Sequence, residues 1–174
     1  NFLNKKFDVY GLDKKNSFNN NIIKCNLLDI KKLEKILIKI KPNIIIHLAA
    51  QSLVDETINQ KKYYENNILA TNILVNVMKK CNINKILFSS TASVYKKNIK
   101  PLRENSKLKP SSHYAKTKLV CEKNIRKEKS LNSIIFRFFN VCSALDYPIL
   151  GELHNPETHL IPTVVYKFLK KQKI

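Results

Sequence analysis

Apolar residues along this chain recur with two alternating periods. In three longer segments they return every three or four positions, which predicts amphipathic helices at 29–40, 65–81 and 112–129. Shorter apolar runs predict β-strands at 7–12, 22–23, 43–47, 86–88 and 133–138. Strands that alternate with helices at this spacing form βαβ units. The pattern therefore predicts an α/β protein with a parallel sheet and right-handed crossovers.

Asp13 follows the first predicted strand, where a dinucleotide-binding unit carries the acidic residue that binds a ribose. Such a unit has a glycine-rich turn about 20 residues before that acid. Counting back from Asp13 falls before residue 1, and Gly11 and Gly151 are the only glycines. We therefore expect an incomplete Rossmann-like doubly wound sheet. Its central first strand and phosphate-binding loop would be missing. The strands at 7–12 and 43–47, which are the second and fourth of a complete sheet, would therefore lack the neighbour between them.

The chain of 174 residues is strongly basic, with 32 Lys and Arg against 13 Asp and Glu and a formal net charge of +19. This charge could indicate nucleic acid or an anionic membrane as partner. Only three of the basic residues are Arg, however, and the Lys residues are spread along the chain. Arg is the residue expected where phosphate is bound in a bidentate manner. We interpret the excess positive charge as Lys side chains on the solvent-exposed faces of helices.

Four cysteines, Cys25, Cys81, Cys121 and Cys142, are far apart in sequence and form no metal-ligand spacing. This predicts reduced thiols, a cytoplasmic protein and no metal site. No apolar run approaches the ~18 residues that a membrane span requires. We expect neither nucleic acid nor membrane as a partner.

The candidate chemistry lies between residues 86 and 118. The strand at 86–88 brings Ser89 and Thr91 to its carboxyl end, where open α/β sheets bind ligands. Tyr114 and Lys118 lie four residues apart on the next predicted helix, so the ammonium lies near the phenol. A nearby cation favours the phenolate and is expected to lower the pKa of Tyr114. This arrangement predicts a general base for a sugar or alcohol hydroxyl.

The same Tyr-x-x-x-Lys spacing occurs twice more, at Tyr10/Lys14 and at Tyr166/Lys170. Neither pair follows a strand that ends in hydroxyl side chains. The context therefore favours Tyr114 over the other two tyrosines.

Several runs of residues resemble the extended short-chain dehydrogenase/reductase family. They are YGLD (10–13), HLAA (47–50), YYENN (63–67), SSTASVY (89–95), YAKTK (114–118), RFFN (137–140) and HNPETHLIP (154–162). The last run is similar to the sugar-nucleotide 4-epimerases of this family. The resemblance implies part of an NAD-binding domain at 1–140 and the start of a substrate-binding region at 141–174, roughly the middle half of such an enzyme.

The resemblance also implies a reaction. Tyr114 would take the proton from the 4′-hydroxyl of a nucleotide sugar such as UDP-glucose or UDP-galactose, and Thr91 would hydrogen-bond the same hydroxyl. Hydride would pass to NAD and return to the other face of a transient 4-keto sugar. A homodimer is implied for the full-length enzyme.

Roles for further residues follow from the resemblance alone. The cofactor-binding set is Asp13, Asn26, Leu27, Leu48, Ala49, Ala50, Asn66, Ser89, Tyr114, Lys118 and Phe138. The substrate-binding set is Thr91, Asn140, His159 and Leu160. Asp13 is expected to favour NAD over NADP, since a carboxylate repels a 2′-phosphate. Asn26 replaces the usual Asp, Ser52 stands where many such epimerases carry Lys, and His47 is interpreted as a buried core histidine.

Other functions stay open. Sibling dehydratases and decarboxylases place an acidic residue shortly after the Thr at the strand end, whereas Ala92 and Ser93 stand here, which favours epimerisation. A hexuronate or N-acetylhexosamine epimerase remains an alternative. So do a basic nucleic-acid-binding module, whose binding would depend steeply on salt, and an inactive fragment.

Overall fold

The computed structural model describes residues 3, 6–15, 21–52, 59–141, 143 and 160–172. Its elements, in chain order, are β1 (Gly11–Asp13), β2 (Ile22–Lys24), α1 (Ile30–Ile40), β3 (Ile45–His47), α2 (Gln60–Tyr63), α3 (Ala70–Lys80), β4 (Lys85–Thr91), α4 (His113–Lys127), β5 (Asn132–Phe138) and α5 (Leu160–Leu169). A π-helical segment, Tyr64–Leu69, joins α2 to α3, and a 3-10 turn, Ala92–Val94, follows β4.

The strands form two sheets. β1 and β2 pair in parallel, and a second sheet has the order β3-β4-β5. β3 and β4 are parallel, with Ile45 opposite Ile86 and His47 opposite Phe88. Within the described residues no hydrogen-bonded ladder joins β1 to β3. The predicted α/β class is confirmed, and the sheet is divided where the sequence predicted a strand to be missing between these two.

Helices α1 and α4 begin at side-chain caps, and these caps determine the residue at which each helix starts. The Asp29 carboxylate accepts a 3.0 Å hydrogen bond from the Lys32 amide at the start of α1. The Ser112 hydroxyl oxygen accepts one of 3.2 Å from the Ala115 amide at the start of α4. Such caps satisfy amides that have no partner inside the helix. Both helices start within a residue of the predicted position.

The helix predicted at 65–81 differs more from the structure. It begins earlier, at α2, where the Asn59 side chain accepts from the Lys61 amide, and its middle turn, Tyr64–Leu69, is π-helical. A π-helical turn contains an additional residue relative to an α-helical turn. The apolar period of a regular helix therefore does not describe which side chains face inward there.

One hydrophobic core lies between α1, α3 and α4 and one face of the β3-β4-β5 sheet. Its fully buried members are Leu33, Val77, Met78, Ile86, Phe88, Cys121 and Ile125. Leu12 in β1 and Leu27 after β2 pack against the same core. Close packing of this kind fixes α4 against β4. On the opposite face of the second sheet, Ile46 and Ile134 are about half exposed.

The described part of the chain divides into two compact units, Asn1–Arg137 and Phe138–Ile174. In the second unit, α5 begins at Leu160. Pro162 lies in its first turn, where a missing backbone N–H disrupts no helical hydrogen bond. Lys171, in the left-handed conformation, ends the helix. Among the helices that the structure describes, none is long and apolar enough to cross a membrane.

Candidate active site

Thr91 ends β4 and begins the turn that follows it. Its Oγ1 accepts a 3.2 Å hydrogen bond from the Ser93 amide, and the residue is 9% exposed. A threonine hydroxyl that accepts one hydrogen bond still has its own proton to donate. α4 packs against both β4 and the turn Ala92–Val94. The predicted hydroxyl at the strand end therefore adjoins the helix that carries the predicted base.

Lys118 is the most firmly held member of the predicted set. It is only 3% exposed, and its Nζ donates a 2.6 Å hydrogen bond to the carbonyl oxygen of Ser89. The same Nζ lies 4.7 Å from the centre of the Phe88 ring and 6.0 Å from that of Tyr114. Burial lowers the pKa of Lys118 to about 8. The structure thus brings Ser89, Tyr114 and Lys118 together, as predicted.

The expected direction of the Tyr114 pKa is wrong. Burial raises the pKa of the phenol above its ordinary value. The ammonium of Lys118 is directed to the Ser89 carbonyl, and desolvation disfavours the phenolate. The geometry therefore holds Tyr114 as a neutral phenol, the form that gives a proton back to an oxygen of a substrate.

The two competing Tyr-x-x-x-Lys pairs lack this environment. Tyr10 is 51% exposed and Tyr166 is 59% exposed. Lys170 Nζ lies 5.9 Å from the Tyr166 ring, nearly the distance found in the Tyr114 pair, but Lys170 is exposed. Burial of the lysine, and not the spacing, distinguishes Tyr114.

The segment after β3 presents small residues at the carboxyl end of that strand. Leu48 and Ala49 are exposed and Ala50 is half-buried; their role towards a cofactor stays a prediction. His47, just before them, is buried, and its Nε2 lies 2.9 Å from Thr71 Oγ1. Burial, and then the charge of Lys118, lower the pKa of His47 to about 4. The interpretation of His47 as a core histidine is confirmed.

Asn67, a residue that the sequence reasoning missed, fixes this segment. It is 2% exposed, and its Oδ1 accepts a 2.7 Å hydrogen bond from the Gln51 amide. Its Nδ2 donates 2.9 Å to Thr117 Oγ1 on α4. The predicted cofactor residue Asn66, its neighbour, is half-buried. The π-helical turn sets which of the two asparagines faces inward.

Asp13 and Asn26 lie at the carboxyl ends of β1 and β2. Asp13 is exposed, and its Oδ1 accepts a 2.7 Å hydrogen bond from the Lys15 amide. Asn26 is exposed as well, with its Oδ1 accepting 3.1 Å from the Leu28 amide, and Leu27 packs against the core. An exposed carboxylate at this edge suits the hydroxyl donors of a ribose.

A second buried cluster adjoins the site and was also missed. Glu122, 1% exposed, lies one helical turn after Lys118. Its Oε1 accepts from Ser90 Oγ at 2.5 Å, and its Oε2 lies 2.7 Å from Arg137 Nη2. The hydrogen bond to Glu122 raises the pKa of Arg137. The signal in the sequence was a carboxylate in the apolar stripe of α4, at a position that ordinarily holds an apolar side chain.

The remaining predicted residues belong to the second unit. Phe138 is 41% exposed, Leu160 is 63% exposed, and Asn140 is exposed. His159 lies outside the described residues. Their roles stay predictions.

The fold and the pairing of Tyr114 with the buried Lys118 define a Rossmann-like α/β protein of the short-chain dehydrogenase/reductase type. The sequence model of the NAD dependent epimerase/dehydratase family matches residues 1–174. The chain belongs to this family.

Its relatives include sugar-nucleotide epimerases. A UDP-glucose 4-epimerase of Halalkalibacterium halodurans is 39% identical over 126 residues, which are 70% of this chain and 38% of that protein. The crystal structure of UDP-glucose 4-epimerase from Brucella ovis in complex with NAD is 31% identical with a TM-score of 0.76, covering 82% of this chain and 45% of the other. The chain thus spans less than half the length of these two proteins.

A third relative carries a different sugar name. The UDP-N-acetylglucosamine 4-epimerase from Methanobrevibacter ruminantium M1, solved in complex with UDP-N-acetylmuramic acid, is 32% identical with a TM-score of 0.74. The match covers 91% of this chain and 51% of that one.

Proposed function

We propose that the protein containing this chain is an NAD-dependent enzyme that epimerises a nucleotide sugar at C4 and interconverts UDP-glucose and UDP-galactose. The observation that carries the proposal is the burial of Lys118 between Ser89, Phe88 and Tyr114, beside the strand that ends at Thr91. Packing alone does not account for a lysine at this position, because desolvating an ammonium costs free energy even when it donates a hydrogen bond to a carbonyl.

In the proposed reaction three side chains bind the 4′-hydroxyl of the sugar, transfer its proton or stabilise the base that accepts it. Thr91 donates its hydroxyl hydrogen to the 4′-oxygen of the sugar and orients it. Tyr114 exchanges a proton with the same oxygen, and its neutral resting form suits the half-reaction in which a keto oxygen is protonated. Lys118 stabilises the phenolate in the other half-reaction, at the low dielectric of a buried site.

NAD, when bound, supplies a reversible hydride acceptor. The donor and acceptor set of the chain fits this group: an exposed carboxylate on Asp13 for ribose hydroxyls, and small side chains on Ala49 and Ala50 that permit close approach. The other proposed cofactor residues are Asn26, Leu27, Leu48, Asn66, Ser89, Tyr114, Lys118 and Phe138. Asp13 is proposed to repel a 2′-phosphate and so to favour NAD over NADP.

The proposed substrate contacts are Thr91, Asn140, His159 and Leu160. We also propose a cytoplasmic homodimer. The reduced cysteines that the structure describes support the compartment, since Cys25, Cys81 and Cys121 are all free.

A sibling substrate is the second candidate. The 32% identity to a UDP-N-acetylglucosamine 4-epimerase favours an N-acetylhexosamine as an alternative at the same site. Dehydration is disfavoured, because Ala92 and Ser93 follow Thr91 where an acidic residue would be needed to donate a proton to the departing hydroxyl.

The test is a comparison of nucleotide sugars with the protein as its gene encodes it. UDP-glucose, UDP-galactose and UDP-N-acetylglucosamine are each incubated with the NAD-loaded protein, and products are separated by chromatography. We expect UDP-glucose and UDP-galactose to reach equilibrium from both directions with no net NADH. Water loss in place of epimerisation would contradict the proposal.

A further inference from the structure

The ion pair between Glu122 and Arg137 is the most deeply buried charge pair that the described residues contain. The side chain of Glu122 is 2% exposed and that of Arg137 is 13% exposed. Arg137 binds both carboxylate oxygens, through Nε at 3.0 and 3.2 Å and through Nη2 at 2.7 Å. Ser90 Oγ supplies a further donor. The charges are thus desolvated but fully hydrogen-bonded.

Burial of such a pair is weak evidence for a stabilising role. Replacing a buried ion pair by apolar residues of similar size is often neutral or stabilising, because the desolvation penalty rivals the attraction. What a bidentate pair supplies is a fixed geometry, since the planar guanidinium aligns with both oxygens of a carboxylate. The question is therefore which parts of the chain Glu122 and Arg137 hold in place.

The pair joins the two elements that carry the proposed proton chemistry. Glu122 lies on α4, one turn after Lys118 and two turns after Tyr114. Its partner Ser90 directly precedes Thr91 on β4. The hydrogen bond from Ser90 to Glu122 therefore fixes the position of the end of β4 along the axis of α4. In the proposed reaction Thr91, at this strand end, and Tyr114, on α4, must contact the same substrate oxygen.

Arg137 extends the contacts to the chain between Thr91 and Tyr114. Its Nη1 donates 2.9 Å to the Tyr95 hydroxyl and 3.0 Å to the carbonyl oxygen of Glu104, and its Cζ lies 4.8 Å from the Tyr95 ring centre. The segment 95–108 folds back on itself, with Tyr95 paired antiparallel to Leu108. One guanidinium thus holds the start of the connection between Thr91 and Tyr114, at Tyr95, and its middle, at Glu104.

We propose that Glu122 and Arg137 are positioning residues, which hold Thr91 in register with Tyr114 and Lys118 and do not touch the substrate. The kinetic part of this inference rests on the proposed epimerase function. The structural part, that the pair fixes the end of β4, does not.

The test uses two variants of the protein as its gene encodes it. Glu122→Gln keeps the size of the side chain and removes its charge. Glu122→Gln/Arg137→Met removes both charges and so avoids leaving an unpaired guanidinium in the interior. The matched control is Glu128→Gln, which breaks the 2.6 Å pair with Lys79 at the far end of α4 without touching β4.

Two readouts are measured below the unfolding temperature, on samples with equal NAD content. For both Glu122 variants we expect kcat for UDP-galactose to fall about 10- to 100-fold with KM nearly unchanged, because a small misplacement of reacting groups lowers the rate at constant binding. Amide hydrogen exchange in residues 89–96 should become faster. Glu128→Gln should change neither quantity.

The outcomes separate the two proposals. An unchanged kcat per folded molecule in both Glu122 variants, with only a lower melting temperature, would reduce the pair to a structural role and overturn the inference. Unchanged exchange in residues 89–96 would overturn it too. If the wild-type protein epimerises no nucleotide sugar but exchange at 89–96 rises only in the Glu122 variants, the proposed function fails while the placement of β4 by this pair stands.

Discussion

Lys118 Nζ donates a 2.6 Å hydrogen bond to the carbonyl oxygen of Ser89, so a side chain of α4 is tied to the backbone of β4. The Lys118 side of this contact is buried, since the residue is only 3% exposed. The contact places the ammonium 6.0 Å from the centre of the Tyr114 ring, and none of the ion pairs in the described part of the chain includes Lys118.

Replacing Tyr114 by Phe should lower the rate of epimerisation by about 100-fold or more, because the proton-transfer group is lost. The fold should change little, as the ring is retained. Turnover of UDP-galactose by the NAD-loaded protein measures the effect. Tyr166→Phe is the matched control, since its ring has a lysine at 5.9 Å but is exposed. Equal damage by both changes would disprove the choice of Tyr114.

The stability of the folded protein should rise between pH 8 and pH 10.5 through Lys118. Its pKa is about 8 in the folded protein against an ordinary value of 10.5. The unfolded chain therefore binds the proton more tightly, and the penalty for burying the charge is present below pH 8 and is relieved as the pH rises. This contribution of Lys118 to the free energy of unfolding is at most about 3 kcal/mol.

Urea unfolding at several pH values measures this dependence. Lys118→Met should lose the rise in the free energy of unfolding, whereas Lys116→Met, at an exposed position of the same helix, should keep it. A rise of equal size in both variants would show that Lys118 is not its source.

Acid should destabilise the protein through His47. The pKa of His47 is about 4 when folded and 6.5 ordinarily, so the unfolded chain binds a proton first as the pH falls. Stability is lost as the pH falls from 6.5 towards 4, by up to about 3 kcal/mol. His47→Gln should flatten this part of the pH profile. The exposed His113 gives the control His113→Gln, which should retain the wild-type profile.

Asn67→Ala should lower the free energy of unfolding by about 1–3 kcal/mol, because the Gln51 amide loses its partner in a part-buried position and the side chain no longer binds Thr117. Asn66→Ala, one residue earlier and half-buried, should change stability by less than that and should weaken NAD binding instead. Chemical unfolding and NAD titration of both variants distinguish the two roles. The reverse pattern would assign the cofactor contact to Asn67.

Asp13→Asn should narrow the preference for NAD over NADP, because removal of the carboxylate removes its repulsion of a 2′-phosphate. Affinities for the two cofactors are compared in the variant, in wild type and in Asp8→Asn, which changes an exposed acid before β1. If wild type binds NAD and NADP equally, Asp13 has no part in the choice.

The sequence predicts those parts of the fold and of the candidate site that depend on interactions between residues close together in the chain. The starts of α1 and α4 were predictable because Asp29 and Ser112 bind amides three residues away. The pairing of Tyr114 with Lys118 was predictable for the same reason, since it spans one helical turn.

Interactions between distant parts of the chain were not predictable. Glu122 and Arg137 are 15 residues apart on different elements, and their pairing depends on how α4 packs against the sheet. The pKa of Tyr114 moved against expectation because burial desolvates the phenol, and the neighbouring ammonium of Lys118 donates its hydrogen bond to a backbone carbonyl 29 residues earlier. Only the assembled interior determines such burial.

The π-helical segment Tyr64–Leu69 has a consequence for comparing this chain with others. A π turn is equivalent to a single residue inserted into an α-helix. Removing one residue there would restore the regular helix and rotate the preceding turn by about 100° relative to α3. An alignment without a gap at this point would then equate Asn67 with a residue that faces solvent. Homologues that lack the extra residue should be aligned by their inward-facing side chains.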